Sequence, residues 1–194
     1  MELDHFLRDP QSRRRFFRMT GVSAAGASAV LLGACGDDTK NPVQLGPDES
    51  DQADVEILNG LLDLELMAIA AYKAGAPKLG GERLGIVKVF LEQEQAHADG
   101  LSGSIEDLDG KPNRAKSDYD FPVLRTDADV LRFALDLENT AIAAYIDALP
   151  KFSEKKLRST AASIITNEAE HASVLLHALG REPVPAALVT GRAA

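Results

Sequence analysis

Apolar residues recur every three or four positions over four stretches of the chain, a spacing typical of amphipathic helices. The pattern predicts helices over about 53–75, 82–105, 126–149 and 153–179. Thr126 and Asp129 can form a capping box at the start of the third helix, while Pro150 and Gly180 stop the third and fourth. We therefore expect an all-α protein.

The second pair of predicted helices repeats the first pair. The ten residues that begin at Asp63 align with the ten that begin at Asp136, and eight of the ten are identical. A polar stretch over about 106–125 separates the two pairs and has few periodic apolar residues. The sequence thus predicts an antiparallel four-helix bundle of two helical hairpins joined by a long crossover.

Each predicted helix carries a carboxylate on the stripe that should be apolar. These carboxylates belong to Glu65, Glu94, Glu138 and Glu168. Two histidines, His97 and His171, each follow a stripe glutamate by three residues, which places both groups one turn apart on one helix face. No Lys or Arg lies on these stripes, and a buried carboxylate is costly unless it is paired or binds metal.

A two-metal site would balance this charge. Four carboxylates carry −4, which two divalent cations neutralise, and neutral imidazoles can fill further ligand positions. Ligands rich in oxygen with some nitrogen suit iron or manganese. The pattern therefore predicts a di-metal site with six ligands: Glu65, Glu94, His97, Glu138, Glu168 and His171.

One Glu from each of two helices and a Glu-x-x-His from each of the other two is the ligand pattern of ferritin-like di-iron and di-manganese proteins. Over about 53–180 the chain resembles the ferritin-like superfamily. The resemblance implies that Glu94 and Glu168 bridge the metals, and that two iron ions, or alternatively manganese, react with oxygen or peroxide. The protein would then be a ferroxidase or a peroxide-detoxifying enzyme. The alternative is a ferritin-like structural or metal-binding module without catalysis.

Two further features bear on this resemblance. Rubrerythrin-like peroxidases place another Glu three residues after the third-helix ligand, where this chain has Ala141, so the six-ligand set is closer to bacterioferritin-like or manganese-catalase-like sites. Tyr72 and Tyr145 lie seven residues after Glu65 and Glu138, on the same helix faces. Each is either a catalytic hydrogen-bond donor or electron relay, or an aromatic core residue with a satisfied hydroxyl group.

The first 34 residues are predicted to be a removable signal peptide. Arg13, Arg14 and the Phe residues after them resemble a twin-arginine export signal, and the small residues before Cys35 resemble a bacterial lipobox. The resemblance implies a lipid on Cys35 and a place in the cell envelope, on the periplasmic or extracytoplasmic face. The alternative is an amphipathic N-terminal helix that buries Cys35. A flexible acidic tether is expected over 35–52 and a disordered end or short cap over 181–194.

Charge and cysteine content exclude several classes of function. The chain has 21 basic and 30 acidic residues, a net charge of −9, which argues against a nucleic-acid partner. A single cysteine excludes an internal disulfide and a cysteine-rich zinc or rubredoxin site, so electrons would have to come from outside. The expected partners are metal ions, oxygen or peroxide, and a membrane through Cys35. We expect a monomer or dimer rather than a large cage, because a lipid on every subunit would crowd it.

Overall fold

Helices account for most of residues 49–192, the part of the chain that the computed structural model describes. They are α1 (Glu49–Gly75), α2 (Gly81–Asp107), α3 (Asp127–Ala148) and α4 (Lys155–Ala178). Short 3-10 turns, Ala76–Lys78 and Leu149–Lys151, follow α1 and α3, each with a proline in its first turn. There is no strand within residues 49–192. The prediction of an all-α bundle of four helices is confirmed.

Helix α1 begins at Glu49 rather than near residue 53, so the last four residues of the predicted tether are helical. Glu49 and Asp51 lie in its first turn, where acidic side chains favour the positive end of the helix dipole. The carboxylate of Asp54 is buried and accepts hydrogen bonds from the backbone N (3.0 Å) and Oγ (2.6 Å) of Ser153, just before α4. The predicted signal peptide over 1–34, Cys35 and the rest of the tether lie outside the described residues.

The predicted capping box fixes the start of α3. Thr126 Oγ1 accepts a hydrogen bond from the Asp129 backbone N at 3.1 Å, and the Asp129 carboxylate accepts one from the Thr126 backbone N at 2.9 Å. Two of the free amides at the helix start are satisfied in this way. The helix therefore begins in a fixed register, which puts Glu138 and Tyr145 on its buried face.

The apolar core is divided into two clusters along the bundle. One lies at the end where α1 and α4 begin and includes Leu58, Leu61, Leu101, Ile105 and Leu157. The other lies at the opposite end and includes Val87, Phe90, Leu131, Ile142 and Leu175. In α2 and α4, the stripe carboxylate falls between the residues of one cluster and those of the other. In α1 and α3 it does so with one exception each, Ile69 and Ile142, where the two clusters overlap. A layer of polar side chains therefore lies in the middle of the bundle, closed above and below by apolar packing.

The crossover and the C-terminal segment each run back along the first helix of the hairpin that precedes them. Asn113 in the crossover hydrogen-bonds Asn59 and Asp63 of α1. Gly191 in the C-terminal segment packs on the α3 backbone at Asn139, where a Cβ atom would collide with the carbonyl oxygen, and its φ of +68° also favours glycine. Together with the ion pair of Arg192 and Asp147, this contact places residues 191 and 192 against α3.

Among residues 49–192, no helix combines the length and the hydrophobicity needed to cross a bilayer.

Candidate metal centre

The structure brings all six of the predicted ligands into the central polar layer. They form two overlapping groups, and in each group one ligand atom per residue lies within 4.8 Å of the others. Glu94 and Glu168 belong to both groups. Glu65 and His97 complete the first group, which we call the His97 half. Glu138 and His171 complete the second, which we call the His171 half.

Each imidazole presents its Nδ1 atom to three carboxylates. Nδ1 of His97 lies 2.9 Å from Glu168 Oε1 and 3.6 Å from Glu94 Oε2. Nδ1 of His171 lies 3.1 Å from Glu94 Oε1 and 3.4 Å from Glu168 Oε2. The third carboxylate is the stripe glutamate of the same hairpin, at 3.7 Å for His97 and 3.6 Å for His171. The two halves are thus related by the same twofold repeat as the sequence.

Several atoms of the layer lack the partners that burial normally requires. Among the described residues, none forms a hydrogen bond of suitable geometry with five of these buried atoms: Glu94 Oε1, His97 Nδ1, both carboxylate oxygens of Glu168 and His171 Nδ1. They lie at ion-pair distances from one another within the two overlapping groups of candidate ligands. Unsatisfied buried polar atoms are rare in native proteins and indicate an absent ligand or ion. The residues present therefore fit a metal-binding role.

Tyr72 and Tyr145 each reach across the layer to the opposite hairpin. The hydroxyl of Tyr72 donates a hydrogen bond to Glu138, and that of Tyr145 donates one to Glu65. Burial and the facing carboxylate raise the pKa of each tyrosine well above its usual value, so both hydroxyls keep their protons and remain donors. Both side chains are buried core residues with satisfied hydroxyls, and both contact a candidate ligand.

The four carboxylates divide into two that hold protons and two that do not. Burial raises the pKa of Glu65 to about 8 and that of Glu138 well above its usual value. Burial alone would also raise the pKa of Glu94 and Glu168, but their contacts with the imidazoles, and for Glu168 with the carboxyl group of Glu138, outweigh it and lower both pKa values. In the metal-free layer, Glu65 and Glu138 therefore favour the protonated form, and Glu94 and Glu168 favour the ionised form.

The histidines are charged in the absence of metal. Burial by itself lowers the pKa of an imidazole, but the surrounding carboxylates outweigh this effect. They raise the pKa of His97 to about 12 and that of His171 to about 11. The charged form of both imidazoles is favoured beside the ionised Glu94 and Glu168, so protons take the place of metal charge in the layer.

Sequence reasoning missed two residues that hold His171. Gln93 Oε1 lies 2.8 Å from Nε2 of His171, the ring atom that points away from the carboxylates. Phe90 stacks on the same imidazole, with ring centroids 3.9 Å apart and an angle of 24° between the rings. Both residues lie on α2, one and four positions before Glu94. Their place next to a predicted ligand was visible in the sequence, but the partner on another helix was not.

A bundle of four helices around a buried layer of glutamates and histidines is the architecture of carboxylate-bridged two-metal proteins. The model of the family described as "Ferritin-like domain" matches residues 53–181. The chain belongs to this family. A search of curated protein sequences found no match.

Solved structures agree on the fold. A conserved hypothetical protein from Mycobacterium tuberculosis is 22% identical with a TM-score of 0.65, and the alignment covers 72% of this chain and 99% of that one. A ferritin-like diiron-carboxylate protein from Bacillus anthracis is 22% identical with a TM-score of 0.60, covering 68% and 99%. The bacterioferritin of Desulfovibrio desulfuricans is 21% identical with a TM-score of 0.63, covering 68% and 81%. At these identities the likeness establishes the ferritin-like bundle.

Proposed function

We propose that the protein is a di-iron or di-manganese oxidoreductase that reacts with oxygen or peroxide, as a ferroxidase or a peroxide-detoxifying enzyme. The observation that carries the proposal is the buried layer itself, in which carboxylate oxygens and two Nδ1 atoms converge without hydrogen-bond partners. A structural core would satisfy or avoid such groups. A ferritin-like protein described as a diiron-carboxylate protein is among the structures that share this fold, which supports the choice of iron.

The roles of the side chains follow from their positions. Glu94 and Glu168 lie between the two halves and would bridge the metals, whereas Glu65 and Glu138 would each bind one of them. Bound iron or manganese would supply the change of oxidation state that the chemistry needs. Tyr72 and Tyr145 hold Glu138 and Glu65 by hydrogen bonds, so each tyrosine orients a ligand of the opposite hairpin. The apolar clusters close the layer toward both ends of the bundle.

The reaction with oxygen and peroxide is the direct test of this function. Metal-free protein would be loaded anaerobically with ferrous iron and exposed to air, while oxygen consumption and near-ultraviolet absorption are recorded. Peroxide loss would be followed separately with iron-loaded and manganese-loaded protein. We expect consumption of at least one oxidant beyond that of the same metal without protein. The matched variants are Glu94→Ala, in the layer, and Glu92→Ala, two residues earlier and exposed.

The two variants separate catalysis from simple metal binding. Activity should persist in Glu92→Ala and disappear in Glu94→Ala, because only Glu94 faces the layer. If the wild-type protein binds metal but consumes neither oxidant, it is a metal-binding or structural module of the same fold. If it binds no iron or manganese, the two-metal proposal is wrong.

We also propose that the mature protein is attached to the envelope through a lipid on Cys35. The support is the sequence alone: an Arg pair, a short apolar run and small residues directly before Cys35. In a bacterial host, the wild-type full-length chain should appear in the membrane fraction and take up labelled fatty acid. Cys35→Ser should lose the label and leave the membrane fraction, and its persistence there would contradict the anchor.

A further inference from the structure

The two halves of the metal centre differ in how their histidines are held. Nε2 of His171 pairs with Gln93 Oε1 at 2.8 Å, and Phe90 stacks on the same ring. Since the amide oxygen of Gln93 can only accept, the imidazole donates from Nε2, so the proton that His171 loses when metal binds is the one on Nδ1. The side chain of His171 is only 1% exposed. The orientation of this imidazole is therefore fixed before any ion arrives, and the contact with Gln93 keeps the proton on Nε2 when Nδ1 binds metal.

The equivalent support is missing from the other half. The repeat that relates Glu94 to Glu168 relates Phe90 to Ile164 and Gln93 to Asn167. Asn167 is one methylene shorter than Gln93, and its amide donates to Glu170 at 3.4 Å instead of reaching an imidazole. Within residues 49–192, no side chain hydrogen-bonds Nε2 of His97, and the nearest stacked ring is that of His171 at 6.3 Å.

The two histidines also differ in solvent exposure, and the less supported one is the more exposed. The side chain of His97 is 12% exposed, against 1% for His171, whereas the glutamates of both halves are buried alike. The ligand set is symmetric, so the difference arises from the residues around the histidines. A ligand that is fixed in advance binds metal more tightly, because less conformational entropy is lost on binding. A ligand at the protein surface is the one that water can reach.

We propose that the two metal positions are unequal: Gln93 makes the His171 half the tight, permanently filled position, while the His97 half is the one that exchanges metal with solvent. This inference rests on the proposed two-metal function and adds that one position keeps its metal ion while the other exchanges it. Gln93 is then a positioning residue that acts through His171, and the open half is where an incoming ferrous or manganous ion enters or leaves.

Variants restricted to one half make the test direct. Glu65→Ala removes a ligand that belongs only to the His97 half, and Glu138→Ala removes one that belongs only to the His171 half. Metal-free samples of each would be titrated with Co²⁺ alone, with binding followed by its visible absorption and folding by circular dichroism. We expect the Glu65→Ala protein, which keeps the His171 half, to bind Co²⁺ at least about tenfold more tightly than the Glu138→Ala protein.

Gln93→Leu would then be added to each of these backgrounds. In Glu65→Ala it should weaken Co²⁺ binding by about 10–100-fold, the usual effect of losing a partner of a histidine ligand, while in Glu138→Ala the change should stay within about twofold. Asn167→Leu is the matched control and should leave both affinities unchanged. Gln93→Glu keeps an acceptor for Nε2 and should retain most of the tight binding.

The outcomes distinguish this inference from the function on which it rests. Equal affinities in the two single-half proteins, or equal weakening of both by Gln93→Leu, would overturn the inequality while leaving a two-metal centre in place. Failure of the wild-type protein to bind Co²⁺, iron or manganese would overturn both.

Discussion

Glu168→Ala is expected to leave the protein with almost no tightly bound metal, whereas Glu65→Ala should leave about one ion per chain. The reason is geometric. Glu168 is within 4.8 Å of the ligand atoms of both halves, but Glu65 belongs to the His97 half alone. Loss of a shared carboxylate removes a ligand from each position and leaves both imidazoles with fewer anionic partners.

Metal analysis of protein at equilibrium with a slight excess of ferrous or manganous ions, corrected for the free ion, would measure this difference. Wild-type protein is expected to retain about two ions per chain, since two divalent cations balance four carboxylates. Glu170→Ala, an exposed position two residues after Glu168, is the control and should retain the wild-type content. Circular dichroism would establish that each variant is folded. Similar losses in Glu168→Ala and Glu65→Ala would argue against a shared, bridging position.

Loading the centre is expected to release about four protons for two metal ions at pH 7, because ligands must be deprotonated to bind metal. In the metal-free protein, Glu65 has a pKa of about 8, the pKa of Glu138 is well above its usual value, and both histidines have pKa values above 10. Each of these four groups gives up one proton. Metal affinity should therefore rise by about 100-fold per ion for each pH unit up to about pH 8, and less steeply above it.

The stability of the protein should also depend on pH, and the direction of this dependence should differ between the metal-free protein and the stabilisation that metal adds. Without metal, the native layer holds protons that the unfolded chain loses above pH 4.5 for Glu65 and above pH 6.5 for the histidines. The native state then binds more protons than the unfolded state, so the free energy of unfolding falls as pH rises from about 4.5 to 8. With metal present, protons compete with the ions at low pH. The stabilisation by metal should therefore increase with pH.

Proton release can be read from a weakly buffered titration with a pH indicator, and stability from thermal unfolding at pH 6 and pH 8. The melting temperature of the metal-free protein should be higher at pH 6, and the gain on adding metal should be larger at pH 8. Release of fewer than about two protons would show that the metal-free layer is mostly deprotonated already, which would contradict the raised pKa values of its glutamates and histidines.

Much of the fold and the whole candidate ligand set could be predicted because both depend on periodicity. The helical period predicts which carboxylates face the core, and Glu65 and Glu138 are buried as it predicts. The duplication of the Asp63 segment at Asp136 then placed two hairpins in one bundle. The capping box at Thr126 followed from two residue types at fixed spacing.

The rest depends on contacts between elements, which periodicity does not report. From the sequence, Gln93 is an ordinary polar residue of α2. Its hydrogen bond to His171 depends on how α2 packs against α4, which the sequence pattern does not predict. The direction of Tyr145 toward Glu65, rather than toward its own hairpin, depends likewise on how the hairpins meet. The C-terminal segment has no repeating apolar pattern, and its attachment depends on the absent side chain of Gly191 and on the ion pair of Arg192 with Asp147.

The hydrogen bonds of the two tyrosines have a consequence for how the bundle came to be assembled. Each hairpin supplies three candidate ligands and one tyrosine, and each tyrosine serves a glutamate of the other hairpin. Two separate copies of a single hairpin, related by a twofold axis, would generate the same set of contacts as a self-complementary dimer interface. The residues of the candidate metal centre therefore also form part of the interface between the two hairpins. A substitution at one of these tyrosines or glutamates therefore changes both the candidate centre and a contact that holds the two hairpins together.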